Sequence, residues 1–185
     1  MKSRYLIAYF QPIGNQSNSA KVAEAIEDHL EQKGHQARMF AITPVEAYPA
    51  DENEFMAATK AEAEHRSRPE IVGKVSDGYY ANIKDIILVA PNWWNSLPMA
   101  VFSFFDQHDN HYKRIIPVIL HGGDGAGKIV EDMRRFLPDA DVMEPVEISE
   151  DELSGDLKAK IDQVSKEIAL SLIHISEPTR RTPIS

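Results

Sequence analysis

Two short runs constrain the fold of this chain more than anything else in it. Asp85–Ala90 (DIILVA) and Arg114–Leu120 (RIIPVIL) are apolar with no alternation. A strand with one wet face alternates apolar and polar side chains. A strand apolar at nearly every position is buried on both faces, as in parallel sheets covered by helices. Arg4–Phe10 (RYLIAYF) is a third such run.

Helical periodicity fills the spaces between them. Lys21–Lys33 carries Val22, Ile26 and Leu30 at spacing four, and Gly34 ends it. Asp51–Arg66 is rich in Ala, Glu and Lys, which favours a helix with a solvated acidic face. Pro98–Phe105 opens with a proline, tolerated in a first turn. Lys128–Leu137 aligns Ile129, Met133 and Phe136, and Glu150–Ala169 aligns Leu153, Leu157, Ile161, Val164 and Ile168. Gln36–Ile42 and Asp141–Ile148 read as further strands. Pro117 is awkward inside a central strand and predicts a bulge or an unpaired position.

Five strands alternating with helices predict an α/β fold, a doubly wound five-stranded parallel sheet. With 185 residues one domain is expected, spanning 1–169, and a chain this long buries roughly 70% of its unfolded surface. Leu170–Arg180 (LSLIHISEPTR) resembles translated sequencing-adapter sequence, so 170–185 is set aside as an artefactual tail.

Composition excludes several functions. The 29 Asp+Glu against 20 Lys+Arg leave a net charge of −9, which argues against nucleic acid or an anionic membrane as partner. No cysteine is present, so disulfides, Fe–S clusters and thiol chemistry are out. No apolar stretch reaches the length of a membrane span, and Tyr5–Phe10 is too short for a signal sequence. A cytoplasmic protein is the expectation.

In such sheets ligands bind beyond the carboxyl ends of the strands, where the strand order reverses. In the order 2-1-3-4-5, the loops after strands one, three and four converge. Gln11–Ser19 offers Gly14, Asn15, Ser17, Asn18 and Ser19 before a helix, either an anion cradle or a helix cap. Pro91–Pro98 holds Pro91, Asn92, Trp93, Trp94 and Asn95, with both tryptophans of the chain side by side. One indole is free to stack on a planar ring, or both pack on a helix or on the partner of a homodimer. His121–Lys128 contains Gly122, Gly123, Gly125 and Gly127. It fits G-x-x-x-x-G-K, but Ile129 stands where a phosphate loop needs Ser or Thr. His108-Asp109-Asn110-His111 has ligand-like spacing yet reads as a solvated loop without a third ligand.

These loops resemble the flavodoxin superfamily, in particular a family of short flavodoxin-like proteins. That pattern is Y-F-S-x-T-G-N-T, then Y-P-x-W-W-G-x-x-P-M, then H-G-G-x-G-x-G. This chain has Tyr9-Phe10 and Gly14-Asn15; Pro91-Asn92-Trp93-Trp94 with Pro98-Met99; and His121-Gly122-Gly123 with Gly125 and Gly127. Tyr48-Pro49-Ala50-Asp51 and Arg68-Pro69-Glu70 match connecting segments. The resemblance implies a flavodoxin-like fold with sheet order 2-1-3-4-5 and FMN as cofactor. The first loop would hold the phosphate. Trp94, ahead of Trp93, would face the ring, with Gly122, Gly123 and His121 at its edge.

Gln11, Ile13 and Gln16 replace hydroxyl residues of the pattern. A register shifted by three instead places Asn18-Ser19 on its Asn-Thr pair and is preferred. Asn95 replaces a glycine, and Asn tolerates a left-handed backbone. The activity implied is an oxidoreductase passing electrons from NAD(P)H or a reductase to a quinone-like acceptor, with His121 as a polarising group. The alternatives are an electron carrier docking a redox protein and an interaction domain that has lost FMN.

Overall fold

A computed structural model describes residues 4–14, 17–155 and 157–176. In chain order the elements are β1 (Arg4–Phe10), α1 (Asn18–Gln32), β2 (Gln36–Ile42), α2 (Glu52–Glu64), α3 (Asp77–Asn82), β3 (Asp85–Pro91), α4 (Met99–Asp106), β4 (Arg114–His121), α5 (Ile129–Phe136), β5 (Asp141–Val142), β6 (Val146–Ser149), α6 (Glu150–Ser154) and α7 (Leu157–Ser176).

All strand pairs are parallel, in the order β2-β1-β3-β4-β5, with β6 also on β4. The unbroken apolar runs explain the layering. Along β3, Ile86, Leu88 and Ala90 pack with α4 and α5, while Ile87 and Val89 pack with α1 and α7. Successive side chains point to opposite faces, so a strand between two helical layers needs apolar residues at both parities.

The expected fifth strand, Asp141–Ile148, is two. β5 pairs with β4 at Arg114 and Ile115, and β6 pairs with it from Val118 to His121. Pro145 between them lacks an N–H to donate. Pro117 faces the same gap. It stays in register with Leu88 of β3, so there is no bulge, and neither β5 nor β6 pairs with it. A proline is therefore harmless in this central strand.

The helices differ from expectation mainly at their ends. α1 begins at Asn18 because Ser17 caps it, accepting from the N–H groups of Ser19 and Ala20. Pro98 precedes α4 rather than opening it. The closing helix is broken near Gly155 into α6 and α7, and α7 continues to Ser176, into the segment set aside as a tail; 177–185 lie outside the described residues. α3, too short to show periodicity, was not expected. Among the described residues, no helix is long and apolar enough to cross a membrane.

Candidate functional site

The loops after β1, β3 and β4 meet at the carboxyl ends of the strands around a cleft of about 350 Å³. Of the expected site residues, Ser17, Asn18, Ser19, Pro91, Asn92, Trp93, His121 and Gly122 line it. Gln11, Gly14, Trp94, Asn95, Gly123 and Gly125 do not, and Asn15 lies outside the described residues. Phe10, Pro12, Leu120, Glu150 and Leu153 complete the lining and were not anticipated. Glu150 and Leu153 belong to α6, directly after β6. Because β6 lies beside β4, its carboxyl end opens onto the same cleft; the predicted strand order already contained that signal.

The first loop is built around Ser17. Its hydroxyl donates to the Phe10 carbonyl at 2.7 Å and accepts from the N–H of Ser19 at 3.1 Å and of Ala20 at 3.4 Å. Ser17 thus serves the helix cap rather than offering a free hydroxyl. The first turn of α1 carries no acidic residue, so the positive end of the helix dipole is not neutralised there.

The second loop is a reversal. Trp93 N–H donates to the Ser96 carbonyl at 2.8 Å, and Ser96 N–H returns the bond at 3.1 Å. The two residues between have φ of +56° (Trp94) and +66° (Asn95). Positive φ at both central positions makes a type I′ turn, in which Asn is favoured and Trp is strained by roughly 1–2 kcal/mol. The turn sends the indoles apart. Trp93 packs edge-on against Phe10, Tyr48 and Phe55 and forms a wall of the cleft. Trp94 leans the other way onto α2, donating from Nε1 to Thr59 Oγ1 at 3.0 Å, with Lys60 Nζ 5.7 Å from its ring centroid. Trp94 was expected ahead of Trp93 at the ring; it is Trp93 that lines the cleft, and Trp94 does not. α2 is not wholly a solvated face either, since Thr59 is only 3% exposed beneath Trp94.

The third loop is stitched to the second. Asn92 Nδ2 donates to the Gly125 carbonyl at 2.8 Å, and Asn95 Oδ1 accepts the Lys128 N–H at 3.2 Å. Gly127, at φ +54°, leaves room for that contact; a Cβ there would stand 1.9 Å from Asn95 Oδ1. His121 Nδ1 accepts the Gly123 N–H at 3.0 Å, which places a neutral ring's proton on Nε2.

FMN can be tested against this geometry. At the ring end the residues fit. Trp93, Phe10, Pro12 and Pro91 give apolar walls, and Asn92 Oδ1 is buried with no hydrogen-bond partner among the described residues. A buried acceptor without a donor is costly, and Asn92 Oδ1 would be satisfied by an imide N–H of a bound flavin ring. At the phosphate end two first-turn N–H groups are already capped by Ser17, leaving the helix dipole and the remaining loop amides.

Polar groups outside the cleft are tuned by burial. Tyr48 donates to Glu62 at 3.0 Å; burial pushes the phenol up, and burial also raises the Glu62 carboxyl despite that bond. The other histidine motif is not a uniformly solvated loop. The His108 ring stacks on Tyr80 at 3.8 Å, and burial lowers its pKa, while His111 bonds Asp109 and Asp139.

The fold has many solved likenesses. A candidate flavoprotein from Bacteroides eggerthii is similar at 22% identity and a TM-score of 0.73, over 91% of this chain and 99% of that one. A flavoprotein in complex with FMN from Lactobacillus acidophilus is similar at 18% and 0.64, over 87% and 97%. An NAD(P)H:quinone oxidoreductase from Methanothermobacter marburgensis is similar at 13% and 0.55, over 91% and 96%. No curated protein matches the sequence. Structural likeness at these identities speaks to fold, but a family model described as Flavodoxin matches residues 4–164. With that match spanning most of the chain, the protein belongs to the flavodoxin family.

Proposed function

We propose that this chain is an FMN-dependent oxidoreductase that passes electrons from NAD(P)H, or from a reductase, to a quinone-like acceptor. Membership of the flavodoxin family supports FMN as cofactor. The observation that carries the reading is the cleft itself: an indole wall at Trp93 beside the unpartnered acceptor Asn92 Oδ1, where three loops meet. FMN, when bound, supplies hydride and electron transfer. The chain's part is to sandwich a planar ring on Trp93, hold its polar edge with Asn92, and present His121 Nε2–H as a donor near that edge.

The test is a visible spectrum of the purified protein with FMN after gel filtration. Retained, perturbed flavin bands that Trp93→Ala weakens support the cleft; a colourless wild-type protein overturns it. Steady-state NAD(P)H oxidation with a quinone then separates the enzyme from a plain electron carrier. The acidic charge of −9 favours the carrier as the second reading, because it suits docking to a basic redox partner.

A further inference from the structure

We propose that a second cavity, behind the Trp93–Ser96 turn, binds the 2′-phosphoadenosine end of NADPH; this deepens the oxidoreductase reading and rests on it. The cavity, of about 330 Å³, borders Trp94, Asn95, Arg66, Lys128, Asp132 and Arg135. The turn contributes residues to both this cavity and the cleft. Trp93 lines one cavity and Trp94 the other.

Three observations point to a phosphorylated aromatic ligand. The first is charge. On a chain of net −9, this cavity gathers Arg66, Lys128 and Arg135, with Lys60 over the Trp94 ring. Of the two carboxylates beside them, Asp132 is engaged, accepting from Ser96 Oγ at 2.5 Å and facing Arg66 Nη1 at 3.4 Å. Glu131 is the other carboxylate on the rim. Lys128 and Arg135 form no ion pair among the described residues. Unpaired cations with a guanidinium among them suit a phosphate dianion.

The second is the ring. Trp94 is 41% exposed. Its Nε1–H is fixed on Thr59, so the indole plane is held in place with no other polar task. A large, oriented, exposed indole is a stacking surface for a purine.

The third is strain. Four non-glycine residues among those described have positive φ, and three of them line this cavity: Arg66 (+51°), Trp94 (+56°) and Asn95 (+66°). Arg66 stands where α2 ends: Ser67 N–H bonds the Glu62 carbonyl and Arg66 N–H the Ala63 carbonyl, a helix stop that ordinarily uses glycine. Backbone strain of this kind collects at ligand clamps. Here it aims one guanidinium and one indole into the same space.

The experiment is calorimetric titration of the full chain with 2′,5′-ADP, a redox-inert probe, with and without FMN. Saturable one-to-one binding is expected, weakened roughly tenfold or more by Lys128→Ala with Arg135→Ala, each cation contributing a charge-assisted bond. Trp94→Asn, which keeps a residue suited to the turn, weakens both 2′,5′-ADP and unphosphorylated adenosine. Lys84→Ala, an exposed cation before the amino end of β3, leaves binding unchanged. Absence of saturation, or equal binding by the double variant and the wild type, overturns the proposal. Binding of 2′,5′-ADP by a protein that retains no FMN upholds this cavity while the oxidoreductase reading falls. Retained FMN without 2′,5′-ADP binding does the reverse.

Discussion

Asp132 is the polar residue whose removal has the most readable consequence. It is 7% exposed, as is Ser96, whose hydroxyl donates to Asp132 Oδ2 at 2.5 Å. Arg66 faces the same carboxylate from a side chain 41% exposed. A hydrogen bond to a buried charged acceptor contributes about 1.5–3 kcal/mol. The Arg66 pair is screened by solvent and adds about 0–1 kcal/mol. Asp132→Ala should therefore destabilise the fold by about 1.5–4 kcal/mol. Ser96→Ala should cost about 1.5–3 kcal/mol, since it leaves the Arg66 pair intact. The shared bond is lost only once, so the double variant should fall short of the sum by about 1.5–3 kcal/mol. Urea unfolding followed by far-ultraviolet circular dichroism reads all three free energies at a common slope. Asp132→Asn should restore part of the loss, because its carbonyl still accepts from Ser96. Additivity of the two alanine variants within about 0.5 kcal/mol would show that the Ser96–Asp132 bond is not made.

Three further outcomes follow from single residues. Lys113 is buried, and its ammonium donates to the Tyr80, Ala81 and Ile83 carbonyls at the end of α3. Burial lowers its pKa, yet Lys113→Met should still destabilise by about 2–4 kcal/mol in thermal unfolding, because the carbonyls are left unpaired; a loss below about 0.5 kcal/mol would refute it. Glu152 is held down to about 2, chiefly by its bond from Lys160 and then by the Ser149 N–H. A depressed carboxyl stabilises above its ordinary value near 4.5 and loses that effect as pH falls through about 2. Glu152→Gln should therefore flatten the acid limb in that window, by under about 1 kcal/mol given its exposure; an unchanged limb would count against the contact. Ser17→Ala should cost about 1 kcal/mol through loss of the α1 cap, measured by urea unfolding, and no change would mean that the cap is redundant.

Much of the architecture is legible because burial on two faces leaves a plain mark. β1, β3 and β4 must be apolar at both parities, so their positions and the loops after them can be read along the chain. Asn95 in a left-handed backbone was legible too, for Asn tolerates what a turn there requires. Local chemistry accounts for the finer boundaries. Pro145 splits the last strand, Gly155 stands where the last helix breaks, and Ser17 starts α1 early. Pro117 looked disruptive because its neighbours were unknown; the gap between β5 and β6 is a fact of pairing, not of residue type.

The site was half legible for a related reason. Sequence placed both tryptophans at the mouth of the cleft but could not say which faces it. That depends on two positive φ angles in one reversal, held by the Trp93–Ser96 backbone pair, by the bond Trp94 donates to Thr59 and by the bond Asn95 accepts from Lys128. Thr59 lies far from the turn along the chain, and so do Arg66 and Asp132, which meet behind it. The sequence by itself determined the positions of the buried strands and the helical layers that cover them, because these follow from the period and continuity of apolar residues; the strand order, and with it the meeting point of the three loops, was legible only through the resemblance of those loops to a known family. Tertiary structure alone decided which indole walls the cleft and which cations share a cavity, because those outcomes rest on contacts between segments that carry no common pattern.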